Sequence, residues 1–309
     1  MRCSTRPPMS ARPAGDATGR VVRTSGFIVA DARGAHRTGS QRPRASVLPV
    51  QPFERLRYIA RHAGDDRTLV AEAADCLAAF DDDLPGLVVA CRRLIDHHTD
   101  SPLLWWLCAR VLAAPDPSDA AWEAEALVRD DHTPGRLAGL LPFPHDPPIA
   151  VIGWPELAGE ALESRPDLDV LAVRGPGDDQ WRRRLARSGA TARPVDVVEA
   201  TVYEPSHVLV EVSGASPDEV LVALGTGGLL DQLVRPTTIV WLVAGAGRVL
   251  PARLYAAMRA RLDPLEDRRL EALDVQVADR IAGPTGLERP ERLLRRVDAP
   301  VAPELLRAV

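Results

Sequence analysis

Apolar residues recur at helical spacing from the early fifties to about residue 130. Phe53, Leu56 and Ile59 open the pattern, and Leu69, Ala73, Cys76, Leu77 and Phe80 follow. Leu87, Val88, Cys91, Leu94 and Ile95 continue it, with further runs over 103–112 and 122–128. Positions i, i+3 and i+4 share one face of an α-helix, so each stretch predicts an amphipathic helix. Polar and Pro-containing breaks at 64–66, 81–85, 99–102 and 115–118 separate the stretches, and Ser118 before an Ala-rich run reads as a helix start.

The texture changes at Pro147. Short continuous apolar runs at 149–152, 168–173, 194–198, 207–212 and 238–243 alternate with helical stretches at 156–163, 179–187, 217–233 and 252–262. Strands apolar on both faces that alternate with helices predict parallel βαβ units. The expected class is α/β, with a helical N-terminal layer (50–135) followed by a Rossmann-like doubly wound parallel sheet (146–262). The charged, Pro-punctuated stretch 263–309 reads as one helix over 263–279 and an irregular tail. Residues 1–49 form an Arg/Pro/Gly-rich arm with no period, expected to be disordered, and residues 1–45 are expected to be dispensable for folding.

Composition narrows the chemistry. All 38 basic residues of the 309 are Arg. The lack of any lysine excludes Schiff-base, Walker-type and carbamylated-lysine chemistry, each of which needs an amine. The net charge is −5, but residues 1–45 hold nine Arg against two Asp, leaving −12 for the rest. An acidic body argues against nucleic-acid binding outside the basic arm, because that binding draws on phosphate neutralisation. No apolar run approaches the roughly 18 residues a membrane span needs, and no apolar core follows the first charges as in a secretory signal. A cytoplasmic location is expected, with Cys3, Cys76, Cys91 and Cys108 as free thiols because no CxxC spacing occurs.

Several constellations could carry chemistry. Cys91, His97, His98 and Cys108 match no zinc spacing and lie in an aliphatic pattern, so they read as core and no metal site is expected. Gly245-Ala-Gly247 follows a strand as a dinucleotide fingerprint would, but the third glycine is Leu250 and no acidic ribose ligand follows. No cofactor is expected. Glu204, His207 and Glu211 crowd the fourth strand and are the candidate acid/base groups. Gly225, Thr226, Gly227 and Gly228 form a turn whose amides could face an anion.

From residue 84 onward the order of motifs resembles one family. It comprises the alpha, beta and delta subunits of translation initiation factor 2B and the methylthioribose-1-phosphate and ribose-1,5-bisphosphate isomerases. The residues that carry the resemblance are Ile149 to Trp154, Val173-Arg174-Gly175-Pro176 with Trp181 to Leu185, Val208 to Ser213, Val222 to Thr226, and Asp298 to Leu305. The resemblance implies a pocket at the carboxyl ends of the strands, with a catalytic Cys and Asp in the isomerases. At those positions this chain has Gly153 and Ser213, and Val222-Ala223 stands where an Asn-Lys pair would hold substrate. An aldose–ketose shift needs a base and an acid facing the carbonyl, and neither Gly nor an unassisted Ser supplies them. The reading is therefore a non-catalytic, ligand-sensing or partner-binding protein, with no catalytic residue assigned. Gly153, Arg174, Ser213, Gly225, Thr226, Gly227 and Gly228 would hold a phosphorylated small molecule. The alternatives are a sugar-phosphate isomerase-like enzyme and a dinucleotide-binding protein. A homodimer is expected, built on the apolar strand around Trp241.

Overall fold

The computed structural model describes residues 65–80, 82–142, 147–175, 181–265, 269–293, 296 and 298–306. The predicted N-terminal arm and the Phe53–Leu56–Ile59 repeat lie outside them.

The helical layer begins with α1 (Asp66–Leu77), α2 (Leu84–His97), α3 (Pro102–Ala113), α4 (Pro117–Arg129) and α5 (Thr133–Leu140). Asp65, Asp83 and Asp116 cap α1, α2 and α4 by accepting from Thr68 N at 2.8 Å, Gly86 N at 2.9 Å and Asp119 N at 2.9 Å. Each bond satisfies an amide that has no partner inside the helix. Proline in the first turn fixes φ at the start of α2, α3 and α4. The start expected at Ser118 moves to Asp116, because the Asp-Pro pair caps better than the serine two residues on. α3 is apolar all round, and Trp105 and Trp106 are fully buried in the core of this layer.

The Rossmann-like part runs β1 (Ile149–Ile152), α6 (Glu156–Glu163), β2 (Val170–Val173), α7 (Trp181–Ser188), β3 (Arg193–Val195), α8 (Val197–Val202) and β4 (His207–Glu211). It continues through β5 (Gly214–Ala215), β6 (Glu219–Ala223), α9 (Thr226–Leu233), β7 (Ile239–Val243), α10 (Ala252–Leu262), β8 (Leu270–Asp274), β9 (Arg280–Gly283), β10 (Gly286–Glu288) and α11 (Pro290–Leu293). One sheet has the order β10-β9-β7-β4-β1-β2-β3, parallel except for β10. The chain winds outward from β1 to β3 and then returns to start β4 on the other side of β1. The crevice between β1 and β4 is thus the topological switch point.

Alternate residues of each strand feed two layers. Ala150, Ile152, Val208, Val210, Val240 and Leu242 face the core that holds α9, whereas Ile149, Val151, Leu209, Trp241 and Val243 face that of α5, α6 and α7. A second, antiparallel sheet of order β5-β6-β8 lies outside the first.

Three expectations need correction. The helix expected over 217–233 is β6 followed by α9, with Gly225 at φ 89° turning the chain between them. No helix fills 263–279: the described residues there include β8, which pairs with β6 from Leu270 to Asp274. Leu-Glu-Ala-Leu-Asp favours helix locally, and the ladder to β6 overrides that preference. Finally, the strand around Trp241 is β7, paired on both sides by β4 and β9, so its apolar character serves the sheet interior and is no argument for an exposed dimer face.

Candidate functional site

A cavity of about 600 Å³ opens at the switch point. The loop after β1 contributes Gly153, Trp154 and Pro155, the end of β2 contributes Gly175, and β4 contributes Val210 and Glu211, followed by Ser213. Asp65 and Asp66 at the start of α1, Glu156 and Glu163 on α6, Arg184 and Arg187 on α7, Thr226 on α9 and Arg248 line it as well.

Glu211 organises one side. Pro155 precedes α6 and has no side chain able to cap it. The Glu211 carboxylate takes that place from the strand, accepting from Leu157 N at 2.8 Å and Ala158 N at 3.0 Å. A negative charge at a helix N-terminus is favourable for the peptide dipoles too. Burial nonetheless pushes this carboxyl above its ordinary range, with Arg248 and the two amides opposing the shift. Arg248 is itself buried and donates from Nη1 to Asp66 Oδ2 at 2.7 Å and to the Ser213 carbonyl at 3.0 Å. Burial works against its charge, but Asp66 and Glu211 outweigh it and hold the guanidinium more basic than usual.

Glu156, the first residue of α6, pairs with Arg67 Nε at 2.9 Å, and Arg67 also reaches Glu160 at 3.0 Å. Burial raises the Glu156 carboxyl to about 7, against the pull of Arg67 and with the charge of Glu211 adding to the rise. Arg184 on α7 donates from Nε to the Trp154 carbonyl at 2.9 Å. The cavity is therefore lined by carboxylates from α1, α6 and β4 and by the guanidinium groups of Arg184, Arg187 and Arg248.

Of the residues expected to form a site, Gly153, Ser213 and Thr226 line this cavity together. Gly153 has φ +72°, and a Cβ there would meet nothing within 4 Å, so its open face points to space. Arg174 is exposed and lies outside the lining, although its neighbour Gly175 is part of it. Gly225, Gly227 and Gly228 also lie outside it. The Gly227 amide, expected to face an anion, donates to Glu271 Oε1 at 2.7 Å, so a carboxylate of this chain already occupies that position.

The acid/base trio does not assemble. Glu204 precedes β4, His207 begins it and Glu211 ends it, so about 13 Å of strand separates the last two. His207 instead meets Trp241 edge-on at 5.2 Å, and burial lowers its pKa against the pull of Asp279.

Cys91 and Cys108 are buried in the helical core, where Cys108 Sγ donates to the Cys91 carbonyl at 3.8 Å and burial pushes the Cys91 thiol up. Among the described residues no cluster of three or more His, Cys, Asp or Glu is placed to hold a metal. The Gly245–Gly247 turn is filled from within. Ala246 N donates to Asp131 Oδ2 at 2.9 Å, and a Cβ on Gly247 would strike Trp106 and Leu103. Among the described residues no helix is long and apolar enough to cross a membrane.

Glu156, Arg187 and Arg248 were not singled out by sequence reasoning. A lone Arg inside the apolar stretch Val243 to Leu250, and Arg residues repeated on both flanks of Leu185, were the available signals.

No family model matches the sequence, and no curated protein matches it. Solved structures do match in fold. A translation initiation factor eIF-2B from Pyrococcus horikoshii OT3 superposes with a TM-score of 0.63 at 13% identity, covering 79% of this chain and 99% of that one. The eIF2B beta subunit of Chaetomium thermophilum gives 0.60 at 11% identity, with 78% and 89% covered. A 5-methylthioribose 1-phosphate isomerase from Pyrococcus horikoshii OT3 gives 0.55 at 13% identity, with 79% and 86% covered. The chain has the fold shared by these initiation-factor subunits and this isomerase.

Proposed function

We propose that this protein is a non-catalytic relative of these folds that senses a phosphorylated sugar or nucleotide in the switch-point cavity. The observation that carries the reading is that guanidinium groups and carboxylates line one cavity together with Gly153 and Ser213. A guanidinium binds a phosphate through paired hydrogen bonds, and carboxylates accept from sugar hydroxyls. Arg187 and Arg184 would take the phosphate, with Arg174 approaching from outside, while Asp65 and Glu156 would take hydroxyls. Gly153 and Ser213, at the positions where the resemblance puts a catalytic Cys and Asp, offer no proton-transfer pair.

Thermal shifts against 5-methylthioribose 1-phosphate, ribose 1,5-bisphosphate and adenosine monophosphate test the reading. A ligand at 100 times its Kd stabilises the fold by about 2.7 kcal/mol. Arg187→Ala should weaken that ligand about tenfold or more, the effect of losing one charged hydrogen-bonding group. No shift with any of the three overturns the proposal.

One observation favours a second reading, an isomerase-like enzyme: Glu156 lines the cavity with its carboxyl near 7, where a carboxylate can exchange protons at neutral pH. Conversion of an aldose phosphate to its ketose, lost in Glu156→Gln, would establish that reading and remove the non-catalytic one.

The proposal includes a cytoplasmic homodimer. A beta2-delta2 tetramer of the Chaetomium thermophilum proteins, with a TM-score of 0.59 to this chain, supports assembly in general. Light scattering at micromolar concentration should return the mass of two chains, and the mass of one would overturn the dimer.

A further inference from the structure

A second and larger cavity, about 1050 Å³, lies between α4 and the β9–β10 hairpin and shares no lining residue with the first. We propose that it is a separate ligand site for an amphipathic anion, a flat apolar body that carries one carboxylate or phosphate group.

The anion position is built around Arg110. The Trp106 indole is buried and fixed by its own bond, Nε1 donating to the Asp298 carbonyl at 2.8 Å. Arg110, one turn further along α3, lies over that ring with its guanidinium carbon 5.4 Å from the centroid. Stacking holds the guanidinium plane in place before any ligand arrives, which lowers the ordering cost of binding. Its Nε is sealed from solvent and has no acceptor among the described residues. A donor buried without an acceptor costs stability, and the part of the side chain a ligand can reach is the 27% that stays exposed. The carboxylate paired with Arg110 is Glu123, at 3.8 Å from Nη2 and 72% exposed, a loose contact that a ligand oxyanion can replace.

Of the other carboxylates of the cavity, Glu288 accepts from the Thr285 hydroxyl at 3.0 Å, and three are committed elsewhere. Asp131 accepts from Thr133 and Ala246, and Arg296 holds Asp298 through Nε and Nη2, both at 3.0 Å. Arg129 pairs with Asp130. Arg292 on α11 is exposed and adds a second cation to the lining. The apolar part of the ligand has its own surface in Ala126 and Leu127, the latter 48% exposed on α4. A fixed cation beside an exposed aliphatic wall suits a ligand with one charged end and one flat apolar end.

Titration of the full chain with 8-anilinonaphthalene-1-sulfonate, an aromatic sulfonate of this chemistry, tests the site. One saturable site is expected, weakened about tenfold by Arg110→Gln through the lost charge-assisted bond. Leu127→Asn, at a half-exposed position that the fold tolerates, should weaken it as well, whereas Arg187→Ala in the other cavity should leave it unchanged. The site can thus fail without touching the switch-point reading, and the reverse holds too. Displacement by 2-naphthoate or by 2-naphthyl phosphate supports the proposal and tells which oxyanion is preferred. Displacement by neither, unsaturable binding, or binding that survives both Arg110→Gln and Leu127→Asn overturns it. A signal that disappears as the protein self-associates assigns the groove to a second copy of the chain and overturns it equally.

Discussion

Glu211 and Glu156 stand at the same helix end, and burial raises both carboxyls against different partners. Glu211 is tied to two amides and faces Arg248; Glu156 has Arg67 and a partly open side. The folded chain therefore holds a proton on Glu156 up to about 7, whereas the unfolded carboxyl loses it near 4.5. Within that window the native state binds more protons than the unfolded state, so stability falls as pH rises from 4.5 to 7. Glu156→Gln removes the titration. Its unfolding midpoint relative to wild type should climb across this window in scanning calorimetry, and a constant difference would contradict the shift. Arg248 makes the opposite kind of contribution. Replacing it with Met leaves Asp66, 35% exposed, without its partner and the buried Glu211 without a cation beside it, a loss of about 1–3 kcal/mol by the measure of a polar group left unsatisfied. Urea unfolding of Arg248→Met should show that loss, and a cost below about 1 kcal/mol would mean that the pair is screened as a surface bridge is.

At the scale of elements, two loops turn on left-handed glycines beside the cavities, Gly153 in the switch-point lining and Gly247 in that of the second cavity. Gly153 and Gly247 both have positive φ, near +72° and +74°, but only Gly247 is also crowded, with a Cβ position 2.8 Å from Trp106 and 2.9 Å from Leu103. Gly153→Ala should cost about 1–2 kcal/mol from backbone strain alone. Gly247→Ala should cost about 2–4 kcal/mol, since a fixed indole has to move as well. Equal costs in denaturant titrations would show that crowding at the Gly247 turn is relieved freely. The same elements show what was legible in the sequence. Five of the six parallel strands and the helical layer follow from apolar runs and 3.6-residue spacing, because the residues that set those patterns also fill the cores. β6 and β8 escaped because five-residue apolar or mixed runs fit helix and strand alike, and only their mutual pairing decides. The site was legible where strand ends define it, at Gly153 and Ser213. It was not legible at Arg187, Arg248 and Glu156, whose meeting depends on how α1, α6 and α7 pack.

The molecule as a whole joins its helical layer to its sheet through shared strands and a returning tail. Alternate residues of β6 enter different cores: Leu221 packs with the helices, and Val220 and Val222 pack with the sheet. After β10 and α11 the chain returns to the helical layer, where Leu305 is fully buried and Arg92 donates twice to the Glu304 carbonyl, at 3.0 and 2.8 Å. Loss of either layer would expose apolar surface of the other, so residues 65–306 should unfold as one cooperative unit. The tryptophans report on both sides, Trp105 and Trp106 from the helical core and Trp154, Trp181 and Trp241 from the sheet core. Fluorescence and far-UV circular dichroism should therefore give coincident denaturation curves. Leu305→Ala removes a buried leucine from the tail and should cost about 2–5 kcal/mol. Because the Leu305 side chain packs in the helical core, the variant discriminates: a shared shift of both curves confirms one unit, and a helical transition that moves ahead of the sheet transition shows two.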